Sequence, residues 1–133
     1  MGGLVGITAG ADQMGPTSAI IIGAVGGVIV VLGVALLDKC KLDDPVGAIP
    51  VHLFSGIWGT LAGGIFGTLA SFDQFMVQLA SVGIVGAFCV ICTAIIALAV
   101  KAIMGLRVSD EEETQGLDIA EHGTGAYADF SMR

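Results

Sequence analysis

Three long stretches of this chain, residues 17–37, 45–70 and 75–104, are almost free of charged side chains. Each is long enough to cross a bilayer as a helix, which takes about 20 residues. The composition agrees, since 55% of the residues are hydrophobic and the mean hydropathy is +0.93. That balance is too apolar for a soluble domain of this length. The chain is therefore expected to be an all-α, polytopic membrane helix bundle surrounded by lipid.

The two ends of the chain differ from these spans. Residues 1–11 are apolar but too short to span, and no basic region precedes them, so we expect the tail end of a helix whose beginning is missing rather than a signal peptide. Residues 1–107 are expected to form the membrane helices and residues 108–133 a separate acidic tail. The tail carries most of the net charge of −7. The five Lys and Arg residues form no patch, which argues against nucleic-acid binding.

The basic residues predict an orientation. Lys39 and Lys41 lie in the connector at residues 38–44, and Lys101 and Arg107 end the third span, whereas the other two connectors have none. Because cytoplasmic loops are enriched in Lys and Arg, this connector and the C-terminus are expected in the cytoplasm of a multi-pass cell-membrane protein.

The second span begins with a strong start signal. Asp44 is expected to cap the helix with Pro45 as its first residue. Pro50, in the second turn, should bend the helix just before His52 and free a carbonyl. Such a bend either lines a pathway or is a kink that neighbouring helices tolerate, and both interpretations stay open.

A single histidine marks one face of this span. In a helix, His52, Gly56, Gly59 and Gly63 fall on one side, where the glycines allow a neighbouring backbone or a small ligand to come close. A histidine at bilayer depth points to function. A structural histidine hydrogen-bonded between packed helices is the alternative.

Other patterns predict packing and capping. Gly23 and Gly27 form a small-xxx-small pair that should pack closely. Cys89 and Cys92 lie in an apolar helical run and are expected to be packing residues rather than a redox or zinc site. No metal and no cofactor is expected.

The tail carries two start signals. Ser109 and Glu112 form a capping box, with Gly116 as a stop, and Asp118 with Glu121 repeats the signature before Gly123. The isolated apolar residues of the tail suggest that it is ordered and docked. They are Leu117, Ile119 and Tyr127.

Several motifs resemble the ammonium transporter family. They are Asp43-Asp44-Pro45, Val51-His52 and Gly56-Ile57-Trp58-Gly59 in the second span, Gly3-Leu4-Val5-Gly6-Ile7-Thr8-Ala9 at the start, and Gly105-Leu106-Arg107-Val108, Gly116-Leu117-Asp118-Ile119-Ala120-Glu121-His122-Gly123 and Ala126-Tyr127 at the end. The resemblance covers essentially the whole chain in the family's order. One departure is Thr124, where the family usually has glutamate.

The resemblance implies a fold of eleven membrane helices in a homotrimer, with one pore for ammonium or ammonia through each subunit. This chain would supply the end of helix eight, helices nine to eleven and the tail. His52 would be the second of two pore histidines, Thr8 a pore-side threonine and Asp44 a buried structural aspartate. The tail, through residues that include Gly116, His122 and Tyr127, would be regulatory and meet a PII-type signalling protein.

Two functions follow as hypotheses. The first is the C-terminal part of an ammonium channel or transporter, inactive without the remaining helices. The second is a membrane-tethered fragment that binds a PII-type regulator through its tail and residues 38–44. An enzyme is not expected, because no second histidine, ligand carboxylate or nucleophile motif accompanies His52. A proteolipid-like ring subunit would need a mid-membrane carboxylate, which the spans lack.

Overall fold

The structure is a computed structural model that describes residues 1–125, and the regular elements in that range are all helices. In chain order they are α1 (Gly2–Thr8), α2 (Pro16–Lys39), a π-helical segment (Ile49–Phe54), α3 (Ser55–Phe66), α4 (Phe72–Ile103), α5 (Asp110–Gln115) and α6 (Leu117–His122). The expected all-α class is confirmed.

Three helical stretches are long and apolar enough to cross a membrane: Pro16–Lys39, Ile49–Phe66 and Phe72–Ile103. They are the three spans expected from the sequence, with shifted ends. The second span begins four residues later than Pro45 because the chain first makes a turn, in which Gly47 has a positive φ of 67° that helical residues do not adopt. The third begins at Phe72 rather than Phe75.

The chain divides within α4 into two compact units, the first being Met1–Phe88 and the second starting at Cys89. In the first unit, glycines bring α1 and α2 into backbone contact. A Cβ added to Gly3 would lie 2.8 Å from the Gly23 carbonyl oxygen, and one added to Gly26 would lie 2.9 Å from that of Gly2. The close pair on α2 is therefore Gly23 and Gly26. Gly27, expected in this role, has nothing within 4 Å of its Cβ position. The reason is that Gly2 and Gly3, adjacent on α1, contact positions three residues apart on α2 rather than four.

The second unit contains the rest of α4, followed by α5 and α6. Ser109 and Glu112 form the expected capping box at the start of α5, and Gly116, with a φ of 92°, separates α5 from α6. The second expected cap is absent from this described part of the tail. Asp118 is the second residue of α6, which starts directly after Gly116, so its side chain lies too far into the helix to cap it.

Candidate functional site

The approach to the second span is held by Asp44. Its backbone carbonyl accepts the Gly47 N–H at 3.0 Å, closing the turn. Its two carboxylate oxygens accept the N–H groups of Ala48 and Ile49 at 2.8 and 2.7 Å. These are amides that a helix start leaves without partners. Asp44 thus binds the first amides of the span from across the turn, five residues ahead of the first residue of the π-helical segment.

The bend expected at Pro50 takes the form of the π-helical segment. Pro50 is buried, and a Cβ added to Gly33 of α2 would lie 2.6 Å from the Pro50 Cβ. At the end of the segment the Ser55 N–H is shared between the His52 and Pro50 carbonyls, and the bond to Pro50, five residues back, is the one that defines a π-helix. His52 lies inside this segment. Single π-turns of this kind occur often at functional sites.

The face predicted around His52 is split by the structure. His52 is exposed among the described residues. A Cβ added to Gly56 meets nothing within 4 Å, and one added to Gly63 meets only the Gln78 amide, at 3.8 Å. Gly59 is different, because a Cβ there would collide with the Gly6 carbonyl group. Close packing at Gly56 and Gly63 stays a prediction about neighbours beyond the described residues.

The packed side of α3 contains two polar side chains that the sequence did not single out as site residues. The Trp58 Nε1–H donates to the Ile22 carbonyl of α2 at 3.1 Å. Ser55 is fully buried, and its hydroxyl lies 3.2 Å from the Pro50 carbonyl oxygen and 3.5 Å from that of Gly26. The spacing of Ser55, five residues after Pro50, is the sequence signal that could have identified the bond from the Ser55 hydroxyl to the Pro50 carbonyl.

Thr8 lies on an exposed part of α1, and its hydroxyl donates to the Val5 carbonyl. Gly2 lies beside Ser55 and Gly6 beside Gly59, so α1 and α3 run in the same direction. Thr8 is then level with a position about nine residues beyond His52, roughly 13 Å along the axis at the usual helical rise. Within the first unit the two predicted pore residues are therefore not brought together.

In the second unit, the predicted tail residues Gly116, Leu117, Asp118, Glu121, His122 and Gly123 form α6 and its two boundaries. Gly123 ends α6 in the left-handed conformation, with a φ of 66°. Leu117 and Ile119 are 44% and 49% exposed, so docking of the tail is not seen in residues 89–125. Tyr127 lies outside the described residues.

Charged side chains in this unit make local contacts. Arg107 pairs with the Glu113 carboxylate at 2.9 Å on an exposed surface. Hydrogen bonds from the Ser109 hydroxyl and backbone N–H hold the pKa of Glu112 below its ordinary value. Across residues 1–125, no three His, Cys, Asp or Glu side chains are grouped so that they could hold a metal ion.

Comparison with known proteins gives a consistent result. The model of the "Ammonium Transporter Family" matches residues 1–127. The chain is 46% identical over 124 residues to a putative ammonium transporter of Synechocystis, which covers 92% of this chain and 28% of the relative. It is 41% identical to ammonium transporter Amt2 of Archaeoglobus fulgidus, over 96% of this chain and 31% of the relative. An ammonium transporter of Bacillus subtilis is 35% identical, over 96% and 35%. The chain thus spans about a third or less of these relatives.

Proposed function

The chain belongs to the ammonium transporter family, and from that membership we propose that it forms part of a membrane channel or transporter for ammonium or ammonia. One observation carries the proposal. His52, the titratable side chain of the second span Ile49–Phe66, is exposed in a π-helical segment, and the nearby Gly56 adds no side chain to the same side of the span. A polar group left uncovered at bilayer depth calls for a polar partner or a passing solute.

We propose that His52 lines the pore as one of two histidines, with its partner on a helix outside this chain. A neutral imidazole donates from one ring nitrogen and accepts at the other. It can therefore accept a proton from ammonium or relay it while ammonia crosses. The step suits the bilayer, because a bare cation in hydrocarbon costs far more free energy than a neutral molecule. This role is that of a pore residue and not of an enzyme's catalytic group.

The described helices do not enclose a pore of their own around His52. We therefore propose that transport requires the remaining helices of a complete subunit, and that complete subunits form a homotrimer with the C-terminus in the cytoplasm. The proposed orientation is supported by the lysines of residues 38–44 and by Arg107 after the third span.

The test is uptake of radiolabelled methylammonium by cells that lack their own ammonium uptake. Residues 1–133 alone should give background uptake. The same residues fused behind the preceding helices of the Synechocystis relative should restore it. Uptake by residues 1–133 alone would contradict the need for further helices, and a well-inserted fusion without uptake would contradict the transport role.

A second role, which does not exclude the first, is binding of a PII-type regulator through the tail and residues 38–44. The exposure of Leu117 and Ile119 on α6 supports it, because apolar side chains exposed on a helix can pack into an apolar groove of a protein partner. The test is capture of a PII-type protein by the full chain in nanodiscs. Leu117→Asp should abolish capture, while Leu42→Asp should weaken it if residues 38–44 take part. Equal capture by the unaltered and Leu117→Asp chains would exclude the tail.

A further inference from the structure

We propose that the buried Ser55 hydroxyl is a positioning residue for His52, because it holds residues 49–54 in the π-helical register. This deepens the proposed function, and its importance for transport rests on that function. The inference itself concerns the geometry of the segment and can be tested without transport.

The residue whose N–H bonds to the Pro50 carbonyl distinguishes the α-helical from the π-helical register. In an α-helix it would accept the N–H of residue 54, and in a π-helix that of residue 55. Here it accepts the Ser55 N–H, which the His52 carbonyl also accepts. The Ser55 hydroxyl lies 3.2 Å from the same carbonyl oxygen and donates to it as well. One residue therefore supplies both donors to Pro50, and a carbonyl oxygen has two lone pairs to receive them.

Only the π-helical register pairs the Ser55 hydroxyl with the Pro50 carbonyl, because in an α-helical register a hydroxyl bonds to the carbonyl four residues back, as Thr60 does to Gly56. If Phe54 became the backbone donor to Pro50, Ser55 would rotate around the axis and its buried hydroxyl would lose this acceptor. The hydroxyl would turn toward the Val51 carbonyl instead, so the Pro50 carbonyl would accept one donor rather than two. In the described structure the hydroxyl also lies 3.5 Å from a second acceptor, the Gly26 carbonyl oxygen of α2.

Contacts with α2 fix the two ends of the segment. Pro50 packs against Gly33, and Ser55 faces Gly26. These glycines are seven residues apart on α2 and so lie on one face of that helix. With both ends held against α2, the register determines where the residues between them point. Pro50 and Ser55 are buried, whereas His52 between them is exposed.

The experiment is solid-state NMR of the full chain in lipid bilayers, with carbonyl ¹³C labels at Pro50 and Gly56 and labelled histidine rings. Gly56 is a matched reference, because its carbonyl accepts the Thr60 hydroxyl at 2.9 Å within the α-helical part of the span. Ser55→Ala removes the hydroxyl at the segment, and Thr60→Val removes the one at the reference while keeping the side chain's shape.

Each substitution should move its own carbonyl resonance, and only Ser55→Ala should also move the His52 ring signals. Amide exchange at residue 55 should become at least about tenfold faster in Ser55→Ala, as a local opening predicts. Unchanged His52 signals in a folded Ser55→Ala chain would overturn the proposal, as would equal His52 shifts in Thr60→Val.

The unaltered chain gives an independent reading should Ser55→Ala fail to fold. Its Pro50 carbonyl should resonate with the downfield shift of a carbonyl that accepts two donors, as Gly56 does. A Pro50 shift typical of a single donor would overturn the proposal. Neither measurement depends on uptake, so failure of the transport hypothesis and failure of this one are distinguishable.

Discussion

Different kinds of contact stabilise the interior of each of the two units. In the first, contacts between residues distant in sequence set the geometry: Gly59 against Gly6, Trp58 against Ile22, and Pro50 against Gly33. In the second, the described structure comes from contacts within six residues, such as the capping box and the Arg107–Glu113 pair. The difference decides which features can be anticipated from sequence, and it predicts how far each substitution will be felt.

The largest effect is expected where two backbones touch. Gly59→Ala places a methyl group against the Gly6 carbonyl group, and overpacking of this kind costs about 1–3 kcal/mol. Gly56→Ala is the matched control, since its Cβ meets nothing within 4 Å, and it should be neutral or stabilise the helix by up to about 1 kcal/mol. Unfolding in mixed detergent micelles, followed by the fluorescence of the single tryptophan, measures both. Equal destabilisation by the two substitutions would contradict the assignment of Gly59 to a packed side of α3 and Gly56 to an open side.

A smaller effect is expected where the first unit relies on a local contact. Asp44→Asn keeps the shape of the cap but weakens its bonds to the Ala48 and Ile49 amides, at a cost of about 1 kcal/mol. Asp43→Asn is the control, because no hydrogen bond to the Asp43 side chain is seen in residues 1–125. Amide exchange at Ala48 and Ile49 should accelerate only for Asp44→Asn. Acceleration throughout α2 and α3 would instead mean that the turn supports the whole bundle.

The smallest effect is expected in the tail. Because the pKa of Glu112 is lowered from 4.5, its ionised form stabilises the start of α5. That contribution is fully present above pH 4.5 and is lost as the pH falls below it through the folded-state value. Amide signals of residues 109–113 should report loss of helix on acidification, while those of α2 and α3 stay fixed. Ser109→Ala should return the Glu112 pKa toward its ordinary value. An unchanged Glu112 titration in that variant would contradict the capping account.

The sequence predicted the helix class and three spans because long uncharged runs have few alternatives in a membrane. It also predicted the box at Ser109 and the stop at Gly116, which depend on neighbours along the chain. It failed for the second cap, because Gly116 already starts α6 and leaves Asp118 inside it. The π-helical segment could not be predicted, since it depends on how Pro50 and Ser55 meet α2.

The candidate site likewise has features that the sequence predicts and features that depend on contacts with other parts of the fold. The capping function of Asp44 was predicted from residue type, whereas its action across a four-residue turn depends on the positive φ of Gly47. The shared face of His52, Gly56 and Gly63 follows from helical spacing. Gly59 does not lie on that open side, because it packs against Gly6 of α1. Helical spacing within the second span cannot predict a contact with another helix.

The most direct test of the central claim, that His52 lines an ammonium pore, is methylammonium uptake by the fusion with the helices of the Synechocystis relative, comparing His52→Ala with Thr60→Val. The account predicts that His52→Ala lowers uptake at least tenfold, or about 1.4 kcal/mol in the barrier, at equal membrane abundance. Thr60→Val should leave uptake within about twofold of the unaltered fusion, a barrier change of about 0.4 kcal/mol. Undiminished uptake by His52→Ala would contradict the claim and leave His52 as a structural residue.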